Sequence, residues 1–148
     1  MCWVWRLIRG DWLGGVAVLT LWSMAASAAT DDAFSRSQYD WIMHCQGCHG
    51  AGGQGVPGVV PPLRGHVGRF LRTDRGRAYL ARVPGVALVD LSDQRLAELL
   101  NWAVRFFDAA DVPSAFIPYT GVEVGLLRRD ALISNARAER RRILSGNR

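Results

Sequence analysis

Cys45 and Cys48 are separated by Gln46 and Gly47, and the second thiol is followed directly by His49. Two thiols about one helical turn apart can each add to a vinyl group on one porphyrin edge, and the adjoining imidazole can swing under the ring to bind iron. One pentapeptide then supplies two covalent anchors and an axial ligand. Two other chemistries use such a pair. Structural zinc wants four ligands, and this chain has no second cysteine pair and no paired-histidine motif. A thioredoxin-like dithiol wants a strand before it and a βαβ surround, whereas here a helix-like run precedes the pair and a glycine-rich stretch follows. A disulfide between Cys45 and Cys48 would close a very small loop and add little to stability. Attachment of one covalently bound haem c is the chemistry that these residue types fit best.

The elements that must position the pair are legible on either side of it. From Phe34 to Cys45 the run FSRSQYDWIMHC has no glycine or proline and predicts a short helix with Phe34, Trp41 and Ile42 among its apolar contacts. Residues 50–68 hold seven glycines and three prolines, a composition that predicts a tightly turning loop able to wrap something flat. Gly76 to Val83 reads as another short helix, broken at Pro84-Gly85. The strongest helix has Ser92 as N-cap, then Leu96, Leu99, Leu100, Ala103, Phe106 and Phe107 at spacings of three and four. Beyond Asp111, Pro113 and Pro118 lead to Thr120-Gly-Val-Glu123, a capping box. It predicts helix through 121–148, with Arg137, Arg140, Arg141 and Arg142 forming a solvated end favoured by the helix dipole. The expected fold class is all-α.

The N-terminus has a different character. Arg6 and Arg9 precede an uncharged run from Trp12 to Ala29, and Ala26-Ser27-Ala28 offers small residues for cleavage. That layout predicts a signal peptide over 1–28 and export to the periplasm; an uncleaved membrane anchor is the competing reading. The three expected regions are thus a signal peptide at 1–28, a core domain at 29–111 and a basic helical extension at 112–148. The net charge is +5 and every basic side chain is an arginine, yet nothing beyond charge suggests nucleic acid as a partner.

Beyond the pentapeptide, the stretch from about 34 to 107 resembles the class I (monohaem) cytochromes c. "CQGCHGAGGQG" is similar to that family's attachment site and glycine loop, "PPLRGHVGR" to its Pro-x-Leu-x-Gly-x-x-Gly-Arg stretch, and "LSDQRLAELLNWAVRFF" to its C-terminal helix. The resemblance implies a cytochrome c-like fold in which N- and C-terminal helices cross around the haem, with a helical extension added. It also implies that Trp41 packs on Leu99 and Trp102, that the Pro61 carbonyl orients the His49 imidazole, and that Arg69 sits near a haem propionate. Such a chain would carry single electrons between a periplasmic dehydrogenase and a downstream acceptor, with no catalytic residues of its own.

One departure from the family pattern concerns the second axial position. Most members supply a methionine between the middle and C-terminal helices, and here that interval, "RVPGVALVDLSDQ" from Arg82 to Gln94, contains none. Met43 and His44 stand beside Cys45 and belong to the attachment side. His66 is the remaining histidine and a candidate distal ligand, Tyr119 of the extension is another, and a vacant or water-bound site is a third possibility. An open iron would suit a protein that binds oxygen, nitric oxide or peroxide. A peroxidase would also need a polar acid–base group over the iron, and "VPGVALVDL" offers only Asp90.

Overall fold

The protein's structure, a computed structural model, describes residues 36–146. The expected signal peptide at 1–28 and the apolar contact assigned to Phe34 lie outside the described residues.

Among the described residues the chain is helical and without strands; the only β feature is an isolated bridge between Val56 and Val60. Helix α1 covers 36–44 and passes through Cys45 into the single turn α2, Gln46–His49. The glycine-rich loop leads to a 3₁₀ turn at Gly68–Arg72, then α3 (Asp74–Arg82), α4 (Pro84–Ala87) and α5 (Asp93–Asp108). A second 3₁₀ turn at Ala109–Asp111 precedes α6 (Gly121–Arg128) and α7 (Ala136–Gly146). Pro84 ends α3 as expected but also opens α4, at a position where its missing N–H costs nothing.

Capping accounts for the three starts that matter. Thr73, Ser92 and Thr120 each accept a hydrogen bond from the backbone N–H three residues on, satisfying donors that a helix N-terminus leaves free. Glu123 does not close the expected capping box back onto Thr120; it pairs in bidentate fashion with Arg77 of α3 at 2.6 and 2.7 Å.

The core is built on α5, which buries Leu96, Leu99, Val104 and Phe107. On α1 the inward face is Ser37, Asp40 and Trp41. Ile42 is half-exposed, contrary to expectation, because it stands a full 100° step around the helix from Trp41. Buried Asp40 joins α1 to α5 through an ion pair with Arg95.

Residues 121–148 do not form one helix. The chain breaks over 129–135, where Leu132 turns into the core and its N–H donates to the Arg82 carbonyl at 2.8 Å. Burying that leucine while capping the end of α3 outweighs the few hydrogen bonds a continuous helix would add. Tyr119, Val124 and Ile143 are also buried in the same apolar cluster as α5.

Candidate functional site

The helical register runs through the attachment motif. Cys45 N–H donates to the Trp41 carbonyl at 2.9 Å, and His49 N–H donates to the Cys45 carbonyl at 3.0 Å. Three residues apart in this register, the two thiols stand on neighbouring turns of one helix side. Both are free; Cys45 is half-buried and Cys48 exposed. Burial, with help from Asp40 and then Cys48, pushes the Cys45 thiol up to about 11.

His49 closes α2, and Gly50 leaves the helix with φ of 73°. The His49 Nδ1 atom is buried and makes no hydrogen bond of full geometry. Burial lowers the imidazole's pKa, and the Pro61 carbonyl partly opposes that by favouring the protonated ring. Pro61 therefore stands beside His49. The loop between them is drawn in tightly. Gly55 N–H donates to the His49 carbonyl at 2.8 Å, and a Cβ on Gly55 (φ 67°) would lie 2.3 Å from the Val60 oxygen and 2.8 Å from that of Pro61.

The same loop is fastened to the end of α5. Gly53, also at φ 67°, passes so close to Phe107 that a Cβ would lie 2.5 Å from the ring. Gly65 N–H donates to the Phe107 carbonyl at 3.1 Å, and Gly68 N–H to the Asp108 carboxylate at 2.7 Å. Trp41 stands at 6.0 Å from His49 and 6.0 Å from Trp102 between ring centroids, but its nearest aromatic neighbour is Phe107, at 4.5 Å. Leu99 shares the buried cluster with them. The α5 pattern marks Phe107 as buried; its contact with Trp41 depends on how the glycine loop closes, and no periodicity shows that.

The other expected site residues are distributed as follows. Arg69 is half-exposed and donates to Asp111 at 3.3 Å and to the Gly65 carbonyl at 3.2 Å. His66 is partly buried in the turn 63–67, which Leu63 N–H ties back to the Gly53 carbonyl at 2.8 Å. Met43 and His44 are exposed on α1. Tyr119 is not free to act as a ligand: its hydroxyl donates to the Arg77 carbonyl at 2.8 Å and its backbone exchanges two hydrogen bonds with the Asn101 side chain. Asp90 is exposed. Among the described residues no group of three or more histidine, cysteine or acidic side chains could hold a metal ion, which leaves a zinc site without its ligand set there.

Sequence reasoning missed Arg128. Its guanidinium donates to the carbonyls of Ala87 (2.9 Å), Val89 and Leu91 (2.8 Å), and pairs with Asp93 at 3.2 Å. An arginine in a basic extension gives no sign in sequence that its acceptors are backbone carbonyls.

Two free thiols on one helix side and the half-buried imidazole that directly follows them form a donor set that fits a covalently held haem. Two relatives named Cytochrome c-552, both from Thermus thermophilus, are each 34% identical to this chain over 118 residues. The match covers 67% of this chain, 90% of one relative and 80% of the other. No family model and no solved structure matches the chain.

Proposed function

The chain belongs to the c-type cytochromes, and from that premise we propose that it is a periplasmic monohaem carrier passing single electrons from a dehydrogenase to a downstream acceptor. Family membership makes it an electron-transfer protein with covalently bound haem c. The observation that supports the site assignment is the grouping of Cys45, Cys48 and His49 in one helical register, with the Pro61 carbonyl beside the imidazole.

When bound, the haem supplies an iron that alternates between the ferrous and ferric states. Cys45 and Cys48 would hold it covalently, and His49 would donate a ring nitrogen to the iron. The Pro61 carbonyl would fix the imidazole's tautomer and raise its basicity, as partners of metal-bound histidines do. Arg69, already steadied by Asp111, would neutralise a propionate. Residues 82–94 would cover the iron's second side with a mainly apolar wall.

A second reading, an open-site haem protein that binds a small ligand, is favoured by three observations taken together. The interval 82–94 has no methionine, Tyr119 is committed elsewhere, and Met43 and His44 are exposed on the attachment helix. Only His66 is left among the candidates considered.

An optical spectrum of the protein expressed with export, oxidised and reduced and with and without carbon monoxide, tests both readings. A low-spin spectrum insensitive to carbon monoxide supports the carrier, and a high-spin, carbon monoxide-sensitive one replaces it with the open-site protein. Cys45→Ala and Cys48→Ala should each remove one covalent link to haem, visible as a shifted reduced band while the remaining thioether still resists acid extraction. Unchanged attachment in both variants would show the assignment to be wrong. If His66→Ala leaves the spin state as it was, His66 is not a ligand.

A further inference from the structure

Arg128 lies outside the candidate attachment motif, yet its guanidinium makes four polar contacts with a stretch of chain distant in sequence. Its three backbone acceptors are alternate residues, Ala87 at the end of α4 and Val89 and Leu91 in the short irregular connection to α5, and its fourth acceptor, Asp93, opens α5. The side chain is only 16% exposed. This connection has few other ties: its internal hydrogen bonds run from Leu88 N–H to Pro84 O at 3.1 Å, Val89 N–H to Val86 O at 3.4 Å and Leu91 N–H to Val89 O at 2.9 Å. Leu88 projects outward, 67% exposed. Val89 and Leu91 pack partly against the core, and the guanidinium supplies the polar ties to this stretch that its own backbone does not. Five fixed N–H donors in one plane can satisfy several carbonyls at once, which the single ammonium of lysine cannot do in the same geometry.

We propose that Arg128 is a positioning residue that clamps residues 87–91 as a fixed wall, so that a small molecule reaches the second side of the iron only when this clamp opens. The inference rests on the reading above that residues 82–94 cover that side. It gives the basic extension a part in controlling access, beyond covering apolar surface on the core.

The test compares the haem-loaded wild-type protein with Arg128→Ala and with Arg128→Lys, which keeps the apolar stem should the alanine variant fold poorly. Two quantities are read: amide hydrogen exchange at Ala87, Leu88, Val89 and Leu91, and the rate at which carbon monoxide binds the reduced protein. Both variants should speed exchange at these amides about tenfold or more while amides from Leu96 to Val104 keep their protection, and carbon monoxide should bind faster by a similar factor or, where the wild-type iron excludes it, should bind in the variants alone. Unchanged exchange at 87–91, or equal acceleration throughout α5, would overturn the clamp. Locally faster exchange with an unaltered carbon monoxide rate would show that the clamp exists but does not lie over the iron, overturning the proposed gate and the reading of the second side together. A wild-type spectrum without a thioether-linked haem would instead sink the attachment assignment itself, before any variant is compared.

Discussion

Cys45 and Cys48 differ in their surroundings although two residues separate them. A half-buried thiol held up to about 11 by burial and the Asp40 carboxylate is a poor nucleophile near neutral pH, since the thiolate is the reactive form. Replacing Asp40 with Asn should therefore ease reaction of Cys45 with a thiol reagent in the haem-free protein, as a faster labelling rate by mass spectrometry. The same change unpairs Arg95 and leaves a buried amide in place of an ion pair, so a lower thermal midpoint should accompany it. Tyr119 carries a pH dependence of definite sign. Burial raises its phenol above the ordinary 10.0, so the unfolded chain loses this proton first as pH rises. Stability from this group is complete below about pH 10 and declines above it, by at most about 1.4 kcal/mol per pH unit. Alkaline unfolding curves of Tyr119→Phe should be shallower above pH 10 than those of wild type, although the lost bond to Arg77 lowers stability by about 1 kcal/mol at neutral pH.

At the scale of elements, the glycine loop and α5 form one device. Phe107, Asp108 and the 53–68 backbone are bound to one another, so the loop that brings Pro61 to His49 is set by the far end of the longest helix. Gly55→Ala should cost about 2–4 kcal/mol, because φ of 67° is strained for alanine and its Cβ would meet two backbone oxygens that cannot rotate away. It should also alter the haem spectrum by displacing Pro61; thermal unfolding and the optical spectrum check the two halves. Much of this architecture was readable in advance. Periodicity located α5, side-chain oxygens marked its cap and that of α6, and composition marked the loop. Three features were not readable. Leu132 breaks the expected last helix because a buried pocket at the end of α3 outweighs local helix preference. Glu123 turns from its capping box to Arg77, and Arg128 finds its acceptors in a backbone distant in sequence. All three are long-range choices that no local pattern encodes.

For the whole molecule, the extension after Asp111 is structural. Tyr119, Val124, Leu132 and Ile143 each bury an apolar side chain in the common core, and at about 1.5–3 kcal/mol apiece their loss is comparable with the whole stability of a small domain. A chain ending at Asp111 should accordingly lose cooperative thermal unfolding, which calorimetry of the haem-loaded protein would show. Had the extension served only to dock a partner, its removal would leave the melting temperature almost unchanged.

The ion pairs that tie α3 to the extension also bear on the order of events as the protein is made. Arg77 meets Glu123 and Arg75 meets Glu139 across separations of 46 and 64 residues, so none of these contacts can form until the C-terminal helices have been synthesised and delivered. Contacts of such long sequence separation slow closure, because chain entropy is spent before they give anything back. In a chain made from its N-terminus, Cys45, Cys48 and His49 emerge well before α6 and α7, so the contacts that fasten those helices to α3 are among the last that can form.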